Sequence, residues 1–186
     1  MISKGIEDLK IGNKKSKGIV TFFEQEYKDI LQKLDDLYGA TKNLQFEGKL
    51  FSGKNMKEIE MVIKFLRNKL FVHLKLDEKV IFPFLEVHIP KLGPVLNLLR
   101  AERNEFKMNL ENFESLFRKL KKEKNYLENH KILEGLQEKG LYMVCLMRNH
   151  IQAENESVYK AIDQELHLDE KRDLIRQCHK FERSPD

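Results

Sequence analysis

Apolar residues recur at spacings of three and four over most of the chain. Ile19, Phe23, Tyr27, Ile30, Leu34 and Leu37 form the first such stripe and predict an amphipathic helix from about Lys17. Gly39 is expected to stop it, and residues 40–54, with Gly48 and Gly53 among isolated apolar positions, read as a long connection. Asn55, answered by Glu58 three residues on, reads as the cap of a second helix whose stripe is Ile59, Val62, Leu66, Leu70, His73, Asp77, Val80 and Phe84. Pro83 lies inside that pattern and, lacking an N–H, predicts a kink near Lys79. Pro90, Gly93 and Pro94 mark a short turn, with Pro94 suited to a first helical position.

A third helix carries Val95, Leu99, Arg103, Phe106, Leu110, Phe113 and Phe117 on one face. It fades into the basic run 118–124, read as a solvated helix end rather than a nucleic-acid patch. The fourth shows Leu136, Met143, Met147, His150, Glu154, Val158 and Ala161, its first turns weakened by Gly135 and Gly140. Leu174, Ile175, Cys178 and Phe181 predict a short helix across one end of the bundle.

The chain is internally repeated. His150 follows His73 by 77 residues, and each is followed four positions later by an acid, Glu154 and Asp77. The helices ahead of them also align, with Glu26-Tyr27 matching Glu102-Arg103 at an offset of 76. Two helical hairpins of one design predict an all-α fold: an up-down-up-down antiparallel four-helix bundle over residues 17–166. Residues 1–16 read as an irregular lead-in, and 167–186 as a short C-terminal helix and tail.

Composition narrows the function. At 41% hydrophobic the 186 residues can bury a core, and a net charge of +4 over 34 basic and 30 acidic residues does not call for nucleic acid. No apolar run approaches the ~20 residues of a membrane span, and the polar start does not read as a signal peptide. Two cysteines exclude a disulfide scaffold or Cys-rich zinc module and point to a reducing, cytoplasmic setting. Cys145 and Cys178 read as small buried apolar residues. His88, His130, His167 and His179 read as helix-end or exposed residues without an acid partner on a core face. There is no Gly-rich phosphate loop and no Ser-His-Asp order, and no catalytic residue is assigned.

The informative residues are polar ones on apolar stripes. Tyr27, His73, Asp77, Arg103, His150 and Glu154 all fall on core faces, at corresponding places in the two halves. Buried ionisable groups are costly unless paired, hydrogen-bonded or bound to a metal. A His and a carboxylate four residues apart share a helix face, and two such faces meeting in a bundle is a recurrent way to hold a transition metal.

These residues resemble the hemerythrin (HHE cation-binding) domain family. His73-x-x-x-Asp77-Glu78-x-x-Ile81-Phe82-Pro83 and His150-x-x-x-Glu154, with Tyr159 beyond it, carry the likeness over roughly residues 17–166. The resemblance implies a four-helix bundle with a non-haem iron site. It also implies a small diatomic or peroxide ligand, in sensing, iron handling or redox chemistry. Two departures stand out. Tyr27 and Arg103 occupy positions where the family places histidines, and a further family histidine would fall on Lys107, so oxygen transport is not carried over.

The expected ligands are therefore His73, Asp77, His150 and Glu154, with Tyr27 completing or hydrogen-bonding the shell. Glu26 and Glu102 are additional candidates, about 100° around their helices from the core stripe, and Arg103 is a third. One divalent ion among these groups leaves about one net positive charge, whereas two leave several more. The count favours one iron or other divalent ion, or an asymmetric pair. The alternative is a metal-free hemerythrin-like remnant serving as an interaction or scaffold module, in which Arg103 forms salt bridges with Asp77 and Glu154 in place of the metal. A third reading is a ferritin-like oxidase using Glu26 and Glu102 as added carboxylates.

Overall fold

A computed structural model describes residues 19–47, 53–123 and 125–183, all but a few of them helical. The elements are α1 (Ile19–Glu47), α2 (Gly53–Phe65), α3 (Phe71–Leu76), α4 (Phe82–His88), α5 (Gly93–Lys122), α6 (Tyr126–Ala153), α7 (Lys160–Glu165) and α8 (Leu168–Arg183). Helices α2 to α4 run on through π-helical turns at Leu66–Leu70 and Asp77–Ile81, and α6 joins α7 through another at Glu154–Tyr159. The lead-in at 1–16, the middle of the expected connection at 48–52, Lys124 and the side chains of Ile19 and Phe23 lie outside the described residues.

Helix α1 does not stop at Gly39. Its buried positions Tyr27, Ile30, Leu34 and Leu37 continue at Ala40, Thr41 and Leu44, so the stripe that builds the helix persists past the glycine. An interior glycine costs about 1 kcal/mol, less than the burial of one leucine returns. Helix α2 likewise starts at Gly53, and Asn55 lies buried in its first turn rather than ahead of it. The kink expected from Pro83 takes the form of the π-helical turn Asp77–Ile81, a widened turn that leaves Pro83 in the first turn of α4. The turn before α5 is a 3-10 segment at Pro90–Leu92, with Pro94 in the first helical turn.

Helix α6 begins at Tyr126, ten residues ahead of the first expected stripe position. Its cap is Asn125, whose side chain accepts from the backbone N–H groups of Leu127 and Glu128 at 2.9 and 3.3 Å. Helix α1 packs against α2 and α6, and α5 packs against α6. Gly140 serves that packing: a β-carbon there would stand 3.5 Å from Thr41 Oγ1 of α1 and 3.8 Å from the Phe113 ring of α5. Helix α8 lies against α3 and the Asp77–Ile81 turn, covering the stretch that carries one of the expected ligands. It is tied to α4 by His88 Nδ1, 3.0 Å from Glu170 Oε1, a surface contact that leaves His88 at a helix end and off the core faces, as expected. Cys178 of α8 is buried as expected, whereas Cys145 is exposed, because α6 turns it away from its neighbours.

At Gly39 no atom stands within 4 Å of where a β-carbon would sit. Gly39→Ala should therefore stabilise the protein by roughly 0.5–1 kcal/mol, read as a higher urea midpoint. A lower midpoint would show that α1 breaks at this residue.

Candidate metal centre

Each half of the chain delivers one set of polar side chains to the core. Glu26 and Tyr27 come from α1, His73 from α3, and Asp77 opens a π-helical turn. Glu102 and Arg103 come from α5, His150 from α6, and Glu154 opens the equivalent π-helical turn. The Asp77 N–H reaches the carbonyls of both His73 and Leu74, and the Glu154 N–H those of His150 and Ile151. The two acids thus sit in the same local geometry, at turns of a kind found often at functional sites.

Tyr27, His73, Asp77, Arg103, His150 and Glu154 are all buried. His73, Asp77 and Glu154 each offer a ligand atom to one cluster, with these atoms all within 4.8 Å of one another. His73 Nε2 stands 3.5 Å from Asp77 Oδ2 and 4.0 Å from Glu154 Oε2. His150 is buried nearby but does not belong to that tight group.

The remaining residues surround the cluster in a crosswise pattern. His73 Nδ1 lies 3.1 Å from Glu26 Oε2, and His150 Nδ1 lies 3.1 Å from Glu102 Oε2. A carboxylate only accepts, so each Nδ1 carries a proton and each Nε2 is turned toward the core. Tyr27 of the first half donates to Glu154 Oε2 of the second at 2.5 Å. Arg103 of the second half donates through Nη2 to Asp77 Oδ2 of the first at 3.1 Å. Among the described residues Arg103 pairs with Asp77 and, through Nη1 at 3.9 Å, with Glu78, so of the two expected acids its salt bridge involves Asp77.

Two further residues complete the pattern, and α-helical periodicity hides both. Tyr159 follows Glu154 by five residues and lies with its hydroxyl 2.8 Å from that of Tyr27. The Tyr27 O–H is directed at Glu154, so Tyr159 donates to the Tyr27 oxygen. Phe82 follows Asp77 by five, and its ring centroid lies 4.9 Å from Arg103 Cζ. In an α-helix a fifth residue points about 140° away from the first, but in a π-helical turn i and i+5 are hydrogen-bonded neighbours. The signal for both was the repeat itself, since 82 and 159 share the 77-residue offset.

Proton affinities follow from burial and from the two facing acids. Burial, then repulsion from Glu154, pushes the Asp77 carboxyl up to about 7, against the pull of His73 and Arg103. Burial disfavours charged His73, yet Asp77, Glu154 and Glu26 outweigh it and hold its pKa well above the usual imidazole value. Burial likewise works against ionised Glu154, but His73, His150 and the Tyr27 hydroxyl bring it below the ordinary carboxylate value. For His150 burial prevails and lowers the pKa, which leaves a neutral imidazole. Burial, then Tyr159 and Glu154, raises Tyr27 well above a normal phenol, and it stays protonated as a donor.

A cation fits this donor set. Asp77 Oδ1, Glu154 Oε1 and His150 Nε2 are buried acceptors without a hydrogen-bond partner among the described residues. Each such atom costs about 1–3 kcal/mol when nothing meets it. Imidazoles anchored through Nδ1 on a carboxylate are the usual supporting arrangement of metal-bound histidines, and mixed imidazole and carboxylate donors suit first-row transition metals. Glu26 and Glu102 stand as the imidazoles' anchors in this geometry.

Residues 18–162 match the model of the hemerythrin HHE cation-binding domain. No curated protein matches the sequence.

Because Asp77 has its pKa raised in the fold, its contribution to metal-free stability is complete below about pH 4 and is lost as pH rises through about 7. Chelator-treated protein should therefore become easier to unfold between pH 5 and 7, and Asp77→Asn should flatten that slope. Urea midpoints across the range measure it, and an equal slope in the variant would refute the assignment.

Proposed function

We propose that this chain, which belongs to the hemerythrin HHE cation-binding domain family, binds a non-haem transition metal, iron foremost, at the buried cluster of His73, Asp77 and Glu154. The cluster is set in an up-down-up-down antiparallel four-helix bundle. The observation that carries the reading is the convergence of three buried ligand atoms within 4.8 Å, with both nearby imidazoles anchored by carboxylates. A bound ion of this kind supplies a Lewis-acidic and redox-capable position for a small ligand such as a diatomic or peroxide. We place the protein in sensing or handling of such molecules, in a reducing compartment suited to its two free cysteines.

The chain's own residues have distinct parts in this. Glu26 holds the His73 proton on Nδ1 and keeps Nε2 directed at the acids. Tyr27, itself held by Tyr159, fixes one oxygen of Glu154 and leaves Oε1 available. Arg103 does the same for Asp77, leaving Oδ1. Phe82, Phe106 and Met147 are buried in the surrounding core and exclude bulk water.

A second reading has a specific observation behind it. The 3.1 Å contact of Arg103 with Asp77 already supplies one positive charge, as a metal-free scaffold module would require.

Elemental analysis of protein purified without added metal, with melting curves before and after chelation, separates the two. The metal reading expects a bound ion and a fall in Tm on the order of 10 °C on its removal. It also expects His73→Ala to purify without the ion. An absent metal with a chelator-independent Tm would support the scaffold.

A further inference from the structure

We infer that the Arg103 guanidinium is the resident second cation of this centre, so that the chain takes up one metal ion and not two. The inference rests on the metal-binding reading and adds to it what limits the ion count.

The repeat lays out two equivalent half-sites. One combines His73, anchored by Glu26, with Asp77; the other combines His150, anchored by Glu102, with Glu154. Each acid is met from the opposite half, Glu154 by Tyr27 and Asp77 by Arg103. Each of those partners rests on the residue five beyond the acid it meets, Tyr27 on Tyr159 and Arg103 on Phe82. The two halves therefore share their histidines and anchoring acids and differ at three matched pairs, Asp77 with Glu154, Phe82 with Tyr159 and Tyr27 with Arg103, of which only the last changes the charge. There one half supplies a neutral hydroxyl and the other a guanidinium that keeps its charge at any working pH.

That difference decides how much positive charge the core accepts. Arg103 is 6% exposed, and its Nε and Nη1 are buried without a hydrogen-bond acceptor among the described residues. Its hydrogen bond goes to Asp77 in the cluster, and the carboxylate of exposed Glu78 stands 3.9 Å from Nη1. Like charges brought together in a buried core repel more strongly than at the surface, because the surroundings screen them less. With this fixed charge, Asp77 and Glu154 leave about one net positive charge when one divalent ion binds and about three when two do. His150 comes from the same half of the chain as Arg103, and it stands outside the tight cluster of His73, Asp77 and Glu154.

Cobalt(II) is the probe. Wild type, Arg103→Lys and Arg103→His are incubated with excess cobalt(II), desalted and analysed for ions per chain, with cooperative melting required of each. The expected result is one ion in wild type and in Arg103→Lys, which keeps the charge, and two in Arg103→His, which replaces it with a neutral donor. A visible-spectrum titration of wild type alone should end at one equivalent. Two ions in wild type or in Arg103→Lys, or one in Arg103→His, would overturn the inference while leaving the metal-binding reading intact. No uptake by wild type, with uptake by Arg103→His, would overturn the metal-binding reading and keep Arg103 as the core's cation. No uptake by any of the three would overturn both.

Discussion

Two carboxylates, Asp77 and Glu154, face one another in a core with almost no access to water, and that constraint organises everything around them. Neither can ionise there without positive charge or donated hydrogen bonds close by. The surrounding residues supply both: Arg103 and protonated His73 provide charge, and the Tyr27 hydroxyl provides a proton at 2.5 Å. Even so, Asp77 is held only near neutrality as an acid, with a pKa of about 7. The metal-free centre is thus short of positive charge. A cation bound at this cluster, as proposed, would relieve the deficit, and its affinity would then depend on pH because protons on His73 and Asp77 compete with it.

The helical scaffold explains how such a costly group of residues is held in place. Long apolar stripes on α1, α5 and α6 bury leucine and phenylalanine above and below the polar layer, and that burial stabilises the fold enough to carry it. The π-helical turns at Asp77–Ile81 and Glu154–Tyr159 let one stretch of helix present both an acid and the residue five beyond it to the same region. Helix α8 lies over the first of these turns. The position of α8 therefore concerns the centre itself rather than the end of the bundle.

The repeat is more exact in its hydrogen bonds than in its residue types. His73 with Glu26 mirrors His150 with Glu102 at the same 3.1 Å, and Tyr27 with Glu154 mirrors Arg103 with Asp77. Substitution at positions 27 and 103 has kept the wiring and changed the charge. The charge in this core therefore differs from what the family likeness alone implies, because Arg103 brings a permanent cation to a position where the family resemblance calls for a histidine.

Much of this was determined by the sequence alone. Periodicity of three and four is a property of one helix, so the helices, their buried faces and the inward placement of His73, Asp77, His150 and Glu154 could be read directly. The repeat showed that the two halves correspond. Tertiary structure decided what periodicity does not encode, namely distances between helices and departures from the α-helical turn. Gly39 sits inside a helix because packing beyond it outweighs a local preference, and Asn125 starts a helix that the apolar stripe places later. Glu26 and Glu102 anchor imidazoles because neighbouring helices approach on that side. Tyr159 and Phe82 join the centre because a π-helical turn rotates the fifth residue inward. Crosswise pairing of Tyr27 with Glu154 and Arg103 with Asp77 depends on which helices face each other across the core, and only the assembled fold sets that.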